Sequence, residues 1–211
     1  MLERMKFFLM GRSREKKYND LLNFANLSLN SLILDAGVAD EEYSPFDSYF
    51  EKKYPYSKNI SALSIYPLNK FKQRYPEINV VTYEGYRFPY DDKQFDLAVS
   101  NAVIEHVGGH DRQLKFITEL CRVSEKFYFT TPAREFPVEM HTNIPILHWL
   151  PKKLFDKILT MIGKGWATGP YMNLLTKNEL RNLLDKADIT SYEIRVHRFG
   201  PFPLHYIVTG Y

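Results

Sequence analysis

This 211-residue sequence holds a single cysteine, Cys121. One cysteine cannot close an internal disulfide, so the fold rests on its apolar core and a reducing compartment is expected. Within Glu119-Leu120-Cys121-Arg122-Val123 it reads as a small apolar member of a helix. No apolar run reaches the ~20 residues that cross a bilayer. The early run Phe7-Phe8-Leu9-Met10 is too short for a signal-peptide core, and Gly11-Arg12 follows it directly. A cytoplasmic protein is expected. Internal repeats and low-complexity segments are absent. A strong charge of either sign is absent too: the net charge is +3 and the pI about 8.7, which does not by itself point to nucleic acid. Basic residues gather near the start, at Arg4, Lys6, Arg12, Arg14, Lys16 and Lys17. They read as a solvated helix face or, more sharply, as contact with an anionic surface.

What is present suits one domain with a sizeable core, with 45% hydrophobic and 25% charged residues. Aromatics are plentiful, with 15 Tyr and 15 Phe. Most belong in the core, and a surplus beside a pocket would suit an apolar or ring-bearing ligand.

The pattern of elements is α/β. Residues 14–29 carry a helical apolar stripe at Tyr18, Leu21, Leu22, Phe24, Ala25 and Leu29. Strands are predicted over 31–35, 60–65, 79–83, 95–100 and 127–130. Between them lie a mostly irregular stretch over 43–56, a short helix from Pro67 to Tyr75 and a helix over 111–123. Thr176 with Glu179 forms a capping box that opens a helix running to Ala187. Strands over 191–198 and 204–209 follow, separated by Pro201 and Pro203. Strands alternating with helices argue for a mostly parallel sheet.

The most informative stretch runs from Phe88 to Val107. It reads as a polar turn, a buried strand (Phe95–Ser100), small polar residues, then Glu105-His106. In an open α/β sheet, ligands bind outside the carboxyl ends of the strands. Ser100, Asn101, Glu105 and His106 therefore stand where a site is expected. A histidine there titrates near neutral pH and can act as an acid or a base, or serve only as a bonded cap.

The wording from Phe88 to Val107 resembles a pattern of class I S-adenosylmethionine (SAM) dependent methyltransferases of the small, single-domain, type-11-like kind. The resemblance extends from about residue 30 to the end. It implies a Rossmann-like fold with a seven-stranded, mostly parallel sheet, helices on both faces, and a last strand inserted antiparallel. It also implies a single domain over 1–211, with an N-terminal helical extension over 1–29 and a lid or substrate insertion over 132–175. The cofactor implied is SAM. Residue by residue, the resemblance places Asp35 and Gly37 in the loop after the first strand. Ala39 and Glu41 there replace two further glycines of the family pattern. Ser64 takes the place of an acid that accepts from the ribose hydroxyls. Glu84 and Gly85 match the position facing the adenine amino group, and Asn101 and Ala102 the lining of the methionine portion. Glu105 and His106 are the implied catalytic pair at the transfer site, with His106 taking a proton from the acceptor. Methyl transfer is a direct displacement that depends on alignment more than on acid–base help.

Residues 130–151 also resemble one branch of this family, in which the block covers the pocket mouth. Arg134, Glu139, His141 and His148 are its candidate substrate residues. His106, His110, His141 and His148 invite a metal reading, but metal is not expected: Gly108-Gly109 breaks helical pairing of the first two, and no compact ligand motif exists. Residues 144–162 read as a lid, or as an amphipathic segment touching membrane, with Lys152, Lys153, Lys157 and Lys164 beside Trp149, Leu154 and Phe155. The reading is SAM-dependent methyl transfer to oxygen or nitrogen of a small-molecule, glycan or lipid-linked acceptor, with peripheral membrane contact open. The alternative is a methyltransferase-like binding or scaffold protein that has lost catalysis, supported by the eroded glycine loop and Ser64. Nucleic acid is not the expected partner, since there is neither an Asn-Pro-Pro-Tyr-like motif nor a basic stripe.

Overall fold

A computed structural model describes residues 2–211, with side chains from Gly11 onward. Arg4, Lys6 and the Phe7–Met10 run, on which the basic-face and leader readings partly rest, lie outside the described side chains. The chain packs as two compact units, Met1–Val99 with Val123–Lys126, and Ser100–Arg122 with Phe127–Tyr211.

In the first unit, α1 (Leu2–Ala25) extends the predicted helix toward the N-terminus. Asn26 stops it by adopting φ 50, its N–H donating to the Leu22 carbonyl. The strand β1 (Ile33–Ala36) is flanked on both sides in parallel. It pairs with β2 (Ile60–Ser64) through Ile33↔Ile60 and with β4 (Phe95–Asn101) through Ile33↔Leu97. A strand hydrogen-bonded on both edges and covered on both faces needs a near-continuous apolar run, which Ile33, Leu34 and Ala36 supply. β3 (Asn79–Thr82) continues the parallel pairing from β2. The mostly irregular stretch 43–56 holds one short helix, α2 (Tyr49–Lys53), and α3 (Asn69–Arg74) follows Pro67. Ile33, Leu63, Phe71, Ile78 and Leu97 are fully buried, and each such side chain stabilises the fold by about 1.5–3 kcal/mol.

The second unit holds all of α4 (His110–Val123) but its last residue, and β5 (Ser124–Pro132) from Phe127 onward. A two-residue pairing of β6 (Val138–Glu139) with β7 (Ile144–Pro145) lies in the block after β5, and α5 (Lys152–Met161) follows. α5 buries Phe155 and Leu159 against Ala167 and Met172, leaving Leu154 and Met161 exposed. Helix α6 (Lys177–Lys186) opens with the capping box read from the sequence, both reciprocal bonds of Thr176 and Glu179 being present. The chain ends in β8 (Tyr192–Phe199) and β9 (Phe202–Gly210), with β9 antiparallel to both β5 and β8.

The seven principal strands form one sheet in the order β3-β2-β1-β4-β5-β9-β8. This is the α/β fold expected from the sequence, including its antiparallel last strand. Among the described residues, no helix is long and apolar enough to cross a membrane.

Candidate functional site

The strand ends of the first unit carry the residues matched to the cofactor. Gly37 follows β1 with φ 95, a conformation costly for other residues, and its N–H and that of Val38 both donate to the Leu63 carbonyl (2.8 and 3.2 Å). Asp35 is hydrogen-bonded to Glu51. Burial, then the charge and hydrogen bond of Glu51, push the Asp35 carboxyl well above its ordinary value, and the nearby Arg14 opposes this only in part. Burial also raises Glu51, so the pair retains a proton that two exposed carboxylates would have released.

Ser64, at the end of β2, is buried, and its hydroxyl accepts from the Tyr66 N–H at 3.3 Å. The three acids after Gly37 are turned to local partners. Asp40 accepts from the Phe71 N–H (2.9 Å), Glu41 pairs with Lys70, and Glu42 accepts from Tyr75 (2.8 Å) and Lys52 (2.7 Å). Glu84 is exposed after β3, and Gly85 adopts φ 82.

In the second unit, Asn101 ends β4 and accepts from the Thr130 hydroxyl at 2.9 Å. Ala102 has φ 57, a left-handed conformation unusual for a residue with a side chain, and its N–H donates to the Thr130 carbonyl at 2.8 Å. This bend delivers a single 3-10 turn, Ile104–His106. Its main chain is fixed by neighbours: Gln113 Nε2 donates to the Ile104 carbonyl (3.2 Å), and the Asn173 N–H donates to the Glu105 carbonyl (2.8 Å).

The turn buries Glu105 completely. Its Oε2 accepts from the Thr131 hydroxyl at 3.0 Å, while Oε1 has no hydrogen-bond partner and lies 3.9 Å from His106 Nε2. Burial raises the Glu105 pKa, and His106, His141 and the Thr131 bond counter it only in part. His106 Nδ1 lies 2.7 Å from the Tyr171 carbonyl, which can only accept, so Nδ1 carries the proton and the neutral ring presents a lone pair at Nε2. That Nε2 is 3.2 Å from Nε2 of His141, with the rings nearly perpendicular at 88°. His141 is oriented by Glu139, whose Oε1 accepts from both its Nδ1 (2.7 Å) and its backbone N–H (2.8 Å). Glu139 Oε2 accepts from the Thr142 N–H at 2.6 Å. Burial works against the Glu139 carboxylate, but these bonds prevail and hold its pKa at about 2. Burial also disfavours a charged His141, yet Glu139 outweighs it and the His141 pKa is raised.

The remaining candidates take other places. His148 is buried, its Nε2–H shared between the carbonyls of Arg134 and Phe136 (2.9 Å each), and burial lowers its pKa. Arg134 lies 3.6 Å from Glu179 of the capping box. Arg134 and His148, with His110, Lys152, Phe155, Asn173 and Glu179, line a cavity of about 360 Å3, the size of a small-ligand site. Glu139 and His141 instead belong to the histidine array. Sequence reasoning missed Thr131, Tyr171, Gln113 and Asn173 around the array, and Arg14 and Glu51 around Asp35. Tyr171 and Asn173 act through main-chain atoms, which no residue type announces. His106 meets His141 from the following loop.

A family model described as a methyltransferase domain matches residues 46–126. An uncharacterized Mycobacterium tuberculosis protein, from strains CDC 1551 / Oshkosh and H37Rv, is 35% identical over 54 residues, 26% of this chain and 18% of that protein. The chain thus spans under a fifth of the length of these curated relatives, by that 18% coverage. Among solved structures, a Burkholderia thailandensis 1,6-didemethyltoxoflavin-N1-methyltransferase, with 1,6-didemethyltoxoflavin and S-adenosylhomocysteine bound, superposes with a TM-score of 0.59. It is 15% identical, over 93% of this chain and 76% of that one. The magnesium protoporphyrin IX methyltransferase of Synechocystis PCC 6803, with S-adenosylhomocysteine bound, gives 0.57 at 13% identity, over 94% and 81%. A SAM-dependent methyltransferase from Aquifex aeolicus gives 0.55 at 17% identity, over 92% and 89%. At these identities the structural likeness is one of fold. Together with the strand order it gives the chain the fold of the class I methyltransferases, and the methyltransferase-domain model matches part of that fold, over 46–126.

Proposed function

We propose that this chain transfers a methyl group from SAM to an oxygen or nitrogen of a small-molecule, glycan or lipid-linked acceptor. The observation that carries the reading is the array after β4. There a strained Ala102 presents Glu105, whose Oε1 has no hydrogen-bond partner, and His106, whose Nε2 meets His141 Nε2 at 3.2 Å. Asp35 and Gly37, Ser64, Glu84 and Gly85, and Asn101 and Ala102 are the residues that would hold the cofactor. The two positive-φ glycines and Ala102 allow main chain to approach a ligand closely, which fits such a group. Bound there, the cofactor supplies an electrophilic methyl on a sulfonium.

The chain's own residues then have two tasks. The 132–175 segment positions the acceptor, with Arg134 and His148 bordering the cavity that would receive part of it. The acceptor's proton must leave as its heteroatom becomes alkylated. His106 Nε2 is suited to that, because Tyr171 fixes the proton on Nδ1 and leaves the other nitrogen basic. Glu105, buried beside it, stabilises the imidazolium that results.

The test is transfer of label from methyl-tritiated SAM to a fractionated small-molecule, glycan and lipid extract. Incorporation that requires His106 is expected. Binding of SAM without label transfer to any fraction would overturn the catalytic reading.

A further inference from the structure

The lone-pair face of the array has an electrostatic problem. With Nδ1 of His106 donating to Tyr171 and Nδ1 of His141 donating to Glu139, two neutral rings would point Nε2 lone pairs at each other across 3.2 Å. A third lone pair, on the buried and unpartnered Glu105 Oε1, faces the same spot from 3.9 Å. The three ligand atoms fall within 4.8 Å of one another. Something positive belongs between them. We propose that Glu105, His106 and His141 form a binding site for a divalent transition-metal ion, with zinc the best match.

Four features support an ion over a shared proton. The donor set, two imidazoles and one carboxylate, is that of open zinc sites, which keep a fourth position for water or substrate. Two nitrogens 3.2 Å apart and each about 2.1 Å from one ion subtend roughly 100° at it, between octahedral and tetrahedral values. The carboxylate edge is longer, so Glu105 closes on the ion by about 1 Å. The surroundings are those of a metal site as well: each imidazole is oriented through its other nitrogen, His106 by a backbone carbonyl and His141 by the Glu139 carboxylate. Lastly, a shared proton would satisfy the two nitrogens and leave Glu105 Oε1 buried and unpartnered, a costly arrangement. An ion satisfies all three atoms.

The site does not depend on the methyl-transfer reading, since it is built within one unit from four residues and a main-chain carbonyl. Were both to hold, the ion's open position would face an acceptor oxygen and lower its pKa, and His106 would act through the metal instead of as a free base.

The experiment is calorimetric titration of the full chain with Zn2+ alone, without SAM, after removal of metals by chelation. One equivalent should bind with micromolar or tighter affinity and raise the melting temperature. Glu105→Gln and His141→Ala should each weaken that binding at least a hundredfold. Glu139→Gln, which touches no metal, should weaken it ten- to a hundredfold. His205→Ala controls for the cross-strand pair His197–His205, and should leave the affinity unchanged. If a variant fails to fold, the parent still decides the matter: Co2+ should give the intense visible bands of a low-coordinate nitrogen–oxygen site. Absence of a tight equivalent, an affinity unmoved by folded ligand variants, loss of binding in His205→Ala, or a cobalt spectrum like that of the hydrated ion would overturn the proposal.

Discussion

His106 and His141, 35 residues apart in sequence, turn their Nε2 atoms toward each other at 3.2 Å. The contact joins the turn after β4 to the loop after β5, and it makes one device of two segments that the sequence presents separately. His106 is set by the Tyr171 carbonyl and His141 by Glu139, so neither ring is free to rotate without breaking a bond of 2.7 Å.

If this device serves turnover, His106→Ala should lower methyl transfer by on the order of a hundredfold or more while changing SAM affinity little. Steady-state rates with a labelled methyl donor, beside calorimetric cofactor affinity, separate the two effects. An unchanged rate would leave His106 a purely structural role.

Ser64→Asp should tighten SAM binding at least several-fold. A hydrogen bond to a charged group contributes roughly 1.5–3 kcal/mol, and each 1.4 kcal/mol is about tenfold in affinity. Asp40, Glu41 and Glu42 are each engaged with local partners, which leaves position 64 as the place to restore a carboxylate. Tight binding by the parent, unimproved by the substitution, would mean that another residue holds the ribose.

The Asp35–Glu51 pair predicts a pH-dependent stability. Burial raises both carboxyls above their ordinary values, so the folded chain binds protons that the unfolded chain has lost. Stability from this source is present below the ordinary carboxylate range and is lost as pH rises from there through the raised folded pKa. Asp35→Asn should flatten that decline. Urea melts from acid to neutral pH would show it, and equal slopes for parent and variant would contradict the assignment.

Gly210→Ala should cost about 1–3 kcal/mol. A methyl at this position would press on the Phe127 ring and lie 2.6 Å from the Ser191 carbonyl, a contact the backbone cannot relieve cheaply. Thermal denaturation checks this, and a parent-like melting temperature would show that the end of β9 can shift.

The elements were legible because their signals are local. The apolar run Ile33-Leu34 marks a strand flanked on both edges, and Thr176 with Glu179 marks a helix start, both found where expected. Glu105 and His106 were legible as site candidates because a strand's carboxyl end is where an α/β fold concentrates ligands. The partnership with His141 was not, since loop paths set which distant side chains meet. Tyr171 contributes a main-chain carbonyl, which any residue carries. Ala102 gives no hint of its left-handed backbone, because alanine has no preference for it.

The central claim, that this fold is used to bind SAM, is tested most directly by titrating the unmodified chain with SAM and with S-adenosylhomocysteine in a calorimeter. One equivalent of each is predicted to bind, more weakly than it binds to Ser64→Asp. Absence of heat from either ligand, in the parent and in Ser64→Asp alike, would contradict the account and favour a methyltransferase fold retained for a binding role.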